Sequence, residues 1–426
     1  MRAGLDNPRE FLLELFHIAV AAADPHRVLL PWLPQDTQRR ALVIGAGKAA
    51  AAMASALENH WAGELSGLVI APYGHGEPCR RIEVVEAAHP VPDARSEAAA
   101  LRILAQVSRL GPADLVICLL SGGGSSLLCL PPPGVSLADK QAVTGQLLRC
   151  GAPIDAVNCV RKHLSLIKGG RLARACLPAQ LITFAISDVP GDHPEVIASG
   201  PTVPDTTSSA EALGILRRYD IAVPPAIRAW LDDVRSETVK DNDPAFARSE
   251  FHIVATAQQS LQAAANAARE AGAGVLMLGD DVAGEARDVA RAQAAVALSV
   301  QRLGAPLTPP CLILSGGETS VTLRGAGRGG RNTEFLLALA SALAGAPGIH
   351  ALAADTDGID GDQDNAGALL SPHSWARARR IGLDAAALLA DTNSHGFFAA
   401  LGDLVVTGPS RTNVNDFRAV LVLPAP

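Results

Sequence analysis

Four segments of this 426-residue chain combine glycines with hydroxyls or charge directly after a short apolar run, where a strand would end. The first is ALVIGAGKAAAAMASAL, residues 41 to 57. Gly45, Gly47 and Ala50 fit the G-x-G-x-x-G/A turn of dinucleotide-binding folds, but Lys48 stands where a pyrophosphate would lie on bare backbone. Alone, that pattern is a weak signal, because a tight strand-to-helix connection needs the same glycines. An acid for the ribose is expected about 20 residues further on. The next apolar run ends VIAPYGHG, with no acid before Glu77. A Walker A loop is excluded, since the four-residue interval between glycines and the Ser/Thr after the lysine are both missing. What remains is an ammonium at the start of a helix, where backbone amides and the helix dipole also favour a carboxylate or phosphate.

The second segment, LVICLLSGGGSSLL, places Ser121, Gly122, Gly123, Gly124 and Ser125 after a run that reads as a buried strand. Three glycines let successive amides turn inward as an anion nest. A serine nucleophile elbow fails, because Leu127 occupies the position of its last glycine. The third segment, ISDVPGDHPEVIASGPTVPD, crowds Asp188, Asp192, His193 and Glu195 at a strand exit. Asp188 and Asp192 could divide the work of a general base and a Mg²⁺ ligand, or either could cap a turn. The fourth region supplies Gly316, Gly317 and Glu318 in LILSGGETS, Arg328 and Arg331 in GAGRGGRNTE, and five aspartates from Asp355 to Asp364. An EF-hand is excluded by Asn365 and Ser371 at its sixth and twelfth positions. Amide nests, cations and paired carboxylates together suit phosphoryl transfer, in which the protein aligns reactants and stabilises charge.

Such groups must be held by a scaffold, and the scaffold is legible. Short β-branched runs (ALVI, GLVIA, IEVVE, LVICL, LITFAI) alternate with Ala/Leu-rich stretches, which predicts βαβ crossovers and a mostly parallel sheet with helices on both faces. A polar stretch at 232–250 breaks the rhythm, so a boundary is expected near 243, giving domains 1–243 and 244–426. The second is expected to mix βα units with a hairpin through SGGETSVTL. Charged residues are only 19% and hydrophobic ones 48%, which argues for closely packed α/β layers and against disorder. The net charge of −7, with no basic run, excludes a nucleic-acid or anionic-membrane footprint. FLLELFHIAVAAA reads as an amphipathic first helix, because Glu14 and His17 interrupt it and no basic residues lead it as in a signal peptide. Seven cysteines without a C-x-x-C pair are expected to be reduced packing residues of a cytoplasmic protein.

GAGKAA, AHPVPDARS, SGGGSSLL, RKHLSLIKGGRLA, ISDVPGDHPEVIASGPTVPD, SGGETSVTLRGAGRGGRNTEF, DTDGIDG and TGPSRTNVND occur in this order between residues 45 and 416. Together they resemble the type II glycerate 2-kinases, the family with a C-terminal MOFRL domain. The resemblance implies a Rossmann-like N-terminal domain, a smaller mixed α/β C-terminal domain and an active site in the cleft between them. It makes Lys48 and Arg331 essential cations and places Asp188 and Asp192 in the catalytic loop, where Asp188 is expected to be catalytic and Asp192 to hold the metal. Gly45, Gly47, Ser121, Gly122, Gly123, Gly124, Ser125, Gly316, Gly317, Glu318, Asn332 and Asp357 become the binding residues. The implied reaction moves phosphate from ATP, with Mg²⁺, to the 2-hydroxyl of D-glycerate. The alternative is an NAD(P)H-dependent hydroxypyruvate reductase, a label some relatives carry. A small-molecule sensor, the third reading, would not need the paired carboxylates. Expected partners are small molecules, with a homodimer as the candidate assembly. His193, Ser410-Arg411 and His395 depart from the family pattern, which usually has Asp, Thr-Gly and Tyr there.

Overall fold

The structure is a computed structural model that describes residues 4–424. It forms two compact units, one of Pro25–Val254 and one that joins the residues up to Asp24 with Ala255 and beyond. In the first, β1 (Ala41–Ala46), β2 (Leu65–Pro72), β3 (Ile82–Ala87), β4 (Leu115–Leu120), β5 (Gln180–Ile186) and β6 (Ser249–Ala255) lie in the order β3-β2-β1-β4-β5-β6. The first five pair in parallel. This is the doubly wound order, whose strand sequence reverses between β1 and β4. β4 is buried along its whole length, as a strand covered by helices on both faces must be, and its unbroken apolar run follows from that. A separate apolar block of helices surrounds Val143, Leu147, Val157, Val160, Leu216 and Trp230. The indole of Trp230 fixes this block by donating to the carbonyl of His163 at 2.7 Å.

The second unit holds β7 (Gly274–Met277), β8 (Gly284–Glu285), β9 (Cys311–Ser315), β10 (Thr319–Ser320), β11 (Ile349–Asp355), β12 (Gly367–Leu370), β13 (Leu404–Val405) and β14 (Asp416–Val422). Six form a mixed sheet, β13-β12-β11-β14-β9-β7, in which only β7 and β9 pair in parallel. The expected hairpin through SGGETSVTL does not form. At Gly317 the chain turns away from β9, and Thr319 and Ser320 pair in parallel with Gly284 and Glu285 instead. β12 gave no distinct signal in the sequence, being four small or apolar residues between turns.

The division also differs from a boundary near 243. Strand β6, beyond that point, adds to the first sheet beside β5. Helix Pro8–Ala21 packs with the second unit, where Phe11, Leu12, Leu15 and Phe16 share a core with Leu261, Leu312, Leu352 and Phe417. An amphipathic helix is stable only where its stripe is covered, and this one is covered by residues hundreds of positions away. Five cysteines are buried and none is paired, but Cys150 is exposed, being the cap of helix Leu137–Arg149 and not part of a core. No helix among the described residues is long and apolar enough to cross a membrane.

The Phe16 ring is 1% exposed and lies 5.9 Å, centroid to centroid, from that of Phe417. Phe16→Ala should therefore lower stability by about 3–5 kcal/mol, the usual cost of emptying a buried aromatic site. Urea unfolding followed by circular dichroism measures this, and a loss below about 1 kcal/mol would mean that the helix is not integral to the unit.

Candidate active site

The last paired residues of β1 and β4 are Ala46 and Leu120, directly opposite each other. Gly47-Lys48 and Ser121-Gly122 therefore leave the sheet side by side at the switch point, where doubly wound folds place their ligands. The two loops are sewn together: the Lys48 amide donates to the Gly122 carbonyl at 2.8 Å and the Ala49 amide to Ser121 Oγ at 2.9 Å. The glycines of the first turn are needed for this contact. A Cβ on Gly45 would lie 2.0 Å from the Leu119 carbonyl oxygen, and one on Gly47 would lie 2.1 Å from Ser121 Oγ. The bare side of Gly47, which a dinucleotide pyrophosphate would approach in a nicotinamide enzyme, is occupied by the neighbouring loop.

Half-buried Lys48 reaches past this seam. Its Cγ and the His89 ring lie 3.6 Å and 2.9 Å from the position a Cβ on Gly123 would take, so the two side chains bracket the SGGG turn. The amides of Gly122 and Gly123 donate to no acceptor among the described residues, whereas that of Gly124 donates to Ser121. Two amides without an acceptor, in a turn bracketed by a lysine side chain, are the elements of a candidate anion nest. Ser125 Oγ is 2.7 Å from Ser199 Oγ, which in turn donates to Asn158 Oδ1 at 3.3 Å. Asp188 follows β5, the next strand in the sheet, and Asp192 ends the short turn Pro190–Asp192 with φ of 55°. Both are half-buried. Among the described residues no three His, Cys, Asp or Glu side chains converge as a metal site. Magnesium held through phosphate oxygens needs only one or two carboxylates, so this donor pair fits a shared ion but not a self-contained cage.

In the second unit Arg331 opens helix Arg331–Leu343 and spreads its guanidinium over three carboxylates. Nε donates to Asp416 at 2.8 Å, Nη1 to Glu318 at 3.0 Å and Nη2 to Asp355 at 2.6 Å. Burial disfavours its charge, but Asp416, Asp355 and Glu318 outweigh burial and hold the guanidinium charged far above its usual range. Asp416 also accepts from Asn332 Nδ2 at 2.8 Å and from Arg418. Arg418 is fully buried and donates to the carbonyls of Gly316 and Gly317, so that turn presents its carbonyls inward. Asp360 caps the helix, accepting from the amides of Asn332 and Thr333, both at 2.9 Å. Burial nevertheless pushes the Asp360 carboxyl above its usual range. Asp357 is buried, and its amide donates to Asp355 Oδ1 at 3.0 Å.

The fold thus gathers Lys48 with Ser121, Gly122, Gly123, Gly124 and Ser125, and separately Arg331 with Glu318, Asn332, Asp355 and Asp416. Sequence reasoning passed over His89, Asn158 and Ser199. His89 lies in AHPVPD and Ser199 in ASGP, segments whose chemistry is apparent only once they are seen against the SGGG turn. Arg411, where the family pattern has glycine, takes a left-handed φ of 61°.

Residues 11–232 match the family profile described as a domain of unknown function, DUF4147, and residues 311–416 match the MOFRL family. An Agrobacterium vitis protein named putative hydroxypyruvate reductase is 53% identical over 97% of this chain and 94% of its own length. D-glycerate 2-kinase of Thermotoga maritima is 36% identical over 97% of this chain and 98% of its own. The crystal structure of the Thermotoga maritima glycerate kinase superposes with a TM-score of 0.88 at 36% identity, covering 98% of this chain and 100% of that one.

The Arg331 clamp makes a stability prediction. Asp355 and Asp416 are buried, whereas the Glu318 side chain is 61% exposed. Arg331→Met should cost about 3 kcal/mol or more, because it strands buried carboxylates. Glu318→Gln should change stability by less than about 1 kcal/mol, since a solvated pair contributes little. Chemical denaturation of both variants checks the contrast, and equal losses would contradict it.

Proposed function

The chain belongs to the type II glycerate 2-kinase family of paired DUF4147 and MOFRL regions, and from that premise we propose that it transfers the γ-phosphoryl group of ATP to the 2-hydroxyl of D-glycerate, yielding 2-phosphoglycerate and ADP. The observation that carries this reading is the seam between the first two loops. It fills the space above Gly47 and keeps Lys48 Cγ beside Gly123, in a turn whose Gly122 and Gly123 amides donate to no acceptor among the described residues. That arrangement suits a phosphoryl group and not a dinucleotide, so the reductase name of some relatives gains no support from the geometry.

In phosphoryl transfer the protein contributes alignment and charge stabilisation. Lys48 and the Gly122 and Gly123 amides hold the oxygens of the transferring group, with Ser121 and Gly124 fixing the turn. Asp188, at the end of β5, orients the 2-hydroxyl and takes its proton. Arg331 is the second cation. Its bond to Glu318 is the one solvent already competes for, while Asp355 and Asp416 hold the guanidinium in place. Gly45, Gly316, Gly317, Asn332 and Asp357 position these groups. Asp192 would hold Mg²⁺, which would supply charge neutralisation at the ATP phosphates.

Two assays test the reading. With D-glycerate and Mg²⁺, ATP should yield 2-phosphoglycerate, identified by phosphorus NMR, whereas hydroxypyruvate should not be reduced by NADH. Lys48→Ala should lower kcat by roughly 100-fold or more with a smaller change in KM for ATP, because the ammonium acts on charge that develops in the transition state. Robust NADH oxidation without ATP would overturn the proposal.

The carboxylates should separate by titration. Asp192→Asn should raise the Mg²⁺ concentration needed for half-maximal rate, whereas Asp188→Asn should lower kcat and leave that concentration nearly unchanged. Superimposable metal titrations for both variants and the parent would remove the division of labour.

A further inference from the structure

Behind the SGGG turn the first unit gathers basic side chains that the reaction as described does not use. Lys140 and Lys168 are 5% and 1% exposed, and each ammonium has one protein acceptor, the carbonyls of Leu164 at 2.7 Å and Ala198 at 3.3 Å. The side chain of Arg161, half-buried near the end of helix Ile154–His163, makes no hydrogen bond or ion pair to any described residue. Burial, then the neighbouring charges of Lys140 and Arg161, push the Lys168 ammonium well below its usual range. No carboxylate is among the groups acting on Arg161 or Lys168. By contrast, the buried Lys162 of this unit is paired with Asp205 at 3.0 Å.

The cluster lies against the candidate site. Asn158 sits one turn before Arg161, hence on the same side of the helix. Asn158 bonds to Ser199, Ser199 bonds to Ser125 of the turn, and the carbonyl accepting from Lys168 belongs to Ala198. Cations without acids are costly to bury, and a guanidinium with an unused fork of donors is built to take a planar or tetrahedral oxyanion from two sides. Lys162, next to Arg161, forms a structural ion pair, so the two neighbours in RKHLSLIKGG serve different ends.

We propose that Arg161, backed by Lys168 and Lys140, binds an oxyanion of a reactant and sets where that reactant lies along the Gly122–Ser125 turn. The oxyanion is either the carboxylate of glycerate or a phosphate of the nucleotide, both of which present oxygens to a guanidinium in the same way. The identity of the reactants rests on the kinase reading, while the demand for an anion rests on the cluster alone.

The test uses the full chain and its Arg161→Gln and Arg161→Lys variants. Without added anion, Arg161→Gln should have a Tm equal to or above the parent's, because it removes like-charge repulsion and breaks no hydrogen bond. The parent's Tm should rise with at least one of ATP, D-glycerate and inorganic phosphate, and the variant should lose most of that rise. In kinetics, KM should increase at least tenfold for one reactant and stay near parental for the other. The affected reactant identifies the source, D-glycerate for a carboxylate and ATP for a phosphate. Arg161→Lys should fall between, keeping charge without the fork. A lower Tm for Arg161→Gln in the absence of anion would mean a structural role and overturn the proposal. So would parental KM values for both reactants, or the absence of any anion-induced rise in the parent. If the parent does not phosphorylate glycerate, the kinase reading fails, yet the Tm series with phosphate and ATP still decides the cluster.

Discussion

Ala46 and Leu120 end their strands opposite each other, and the contact just beyond them, Gly47 against Ser121, governs the first unit's chemistry. Once the two turns touch there, Ser121 fills the side of Gly47 that a Cβ would take, and the amide of Lys48 is tied to the second turn. The lysine side chain is then carried to the SGGG turn, not away from it. The contact exists because β1 and β4 are sheet neighbours, which follows from the reversal of strand order between them. One residue with a Cβ at position 45 or 47 would force the loops apart and dissolve the arrangement.

The two units solve opposite electrostatic problems. Around the SGGG turn, Lys48, Lys168, Lys140 and Arg161 gather basic side chains, with burial lowering the Lys140 and Lys168 ammonium groups, in a region that also offers amides without an acceptor. Around helix Arg331–Leu343, two guanidiniums meet Asp355, Asp416 and Glu318, and Asp360 closes the helix start. There the cation is held in place by its surroundings and is accessible only through its exposed contact. A guanidinium fixed at two points gains geometric precision, which charge stabilisation requires.

Some of the backbone strain falls beside the SGGG turn. Asp192, Ala198 and Ser199 take left-handed φ values of 55°, 51° and 61°, each a cost of roughly 1–3 kcal/mol for a residue with a Cβ. The Ser199 conformation is held by hydrogen bonds on both ends: its Oγ meets Ser125 and Asn158, and its carbonyl accepts from the Gly169 amide. The strain therefore aims the Ser199 hydroxyl at the SGGG turn and the Ala198 carbonyl at Lys168.

The sequence by itself determined the strand runs of the first sheet, the glycine turns and the order of the family motifs. These depend on local periodicity, on residues without a Cβ, and on functional groups clustered within a few positions. It also determined the exclusion of Walker A, EF-hand and nucleophile-elbow chemistry, because those motifs fail at single named residues. Tertiary structure alone decided what distant segments do to one another. Helix Pro8–Ala21 shows an apolar stripe in any reading, but only the fold reveals that Leu312 and Phe417 cover it. SGGETSVTL has hairpin composition, yet its last strand residues pair with Gly284 and Glu285, since pairing partners are chosen by packing and not by proximity in sequence. Arg161 and Lys162 are adjacent and both basic. That one is neutralised by Asp205 while no carboxylate acts on the other is a matter of which helix face each occupies, and no composition or spacing carries that information.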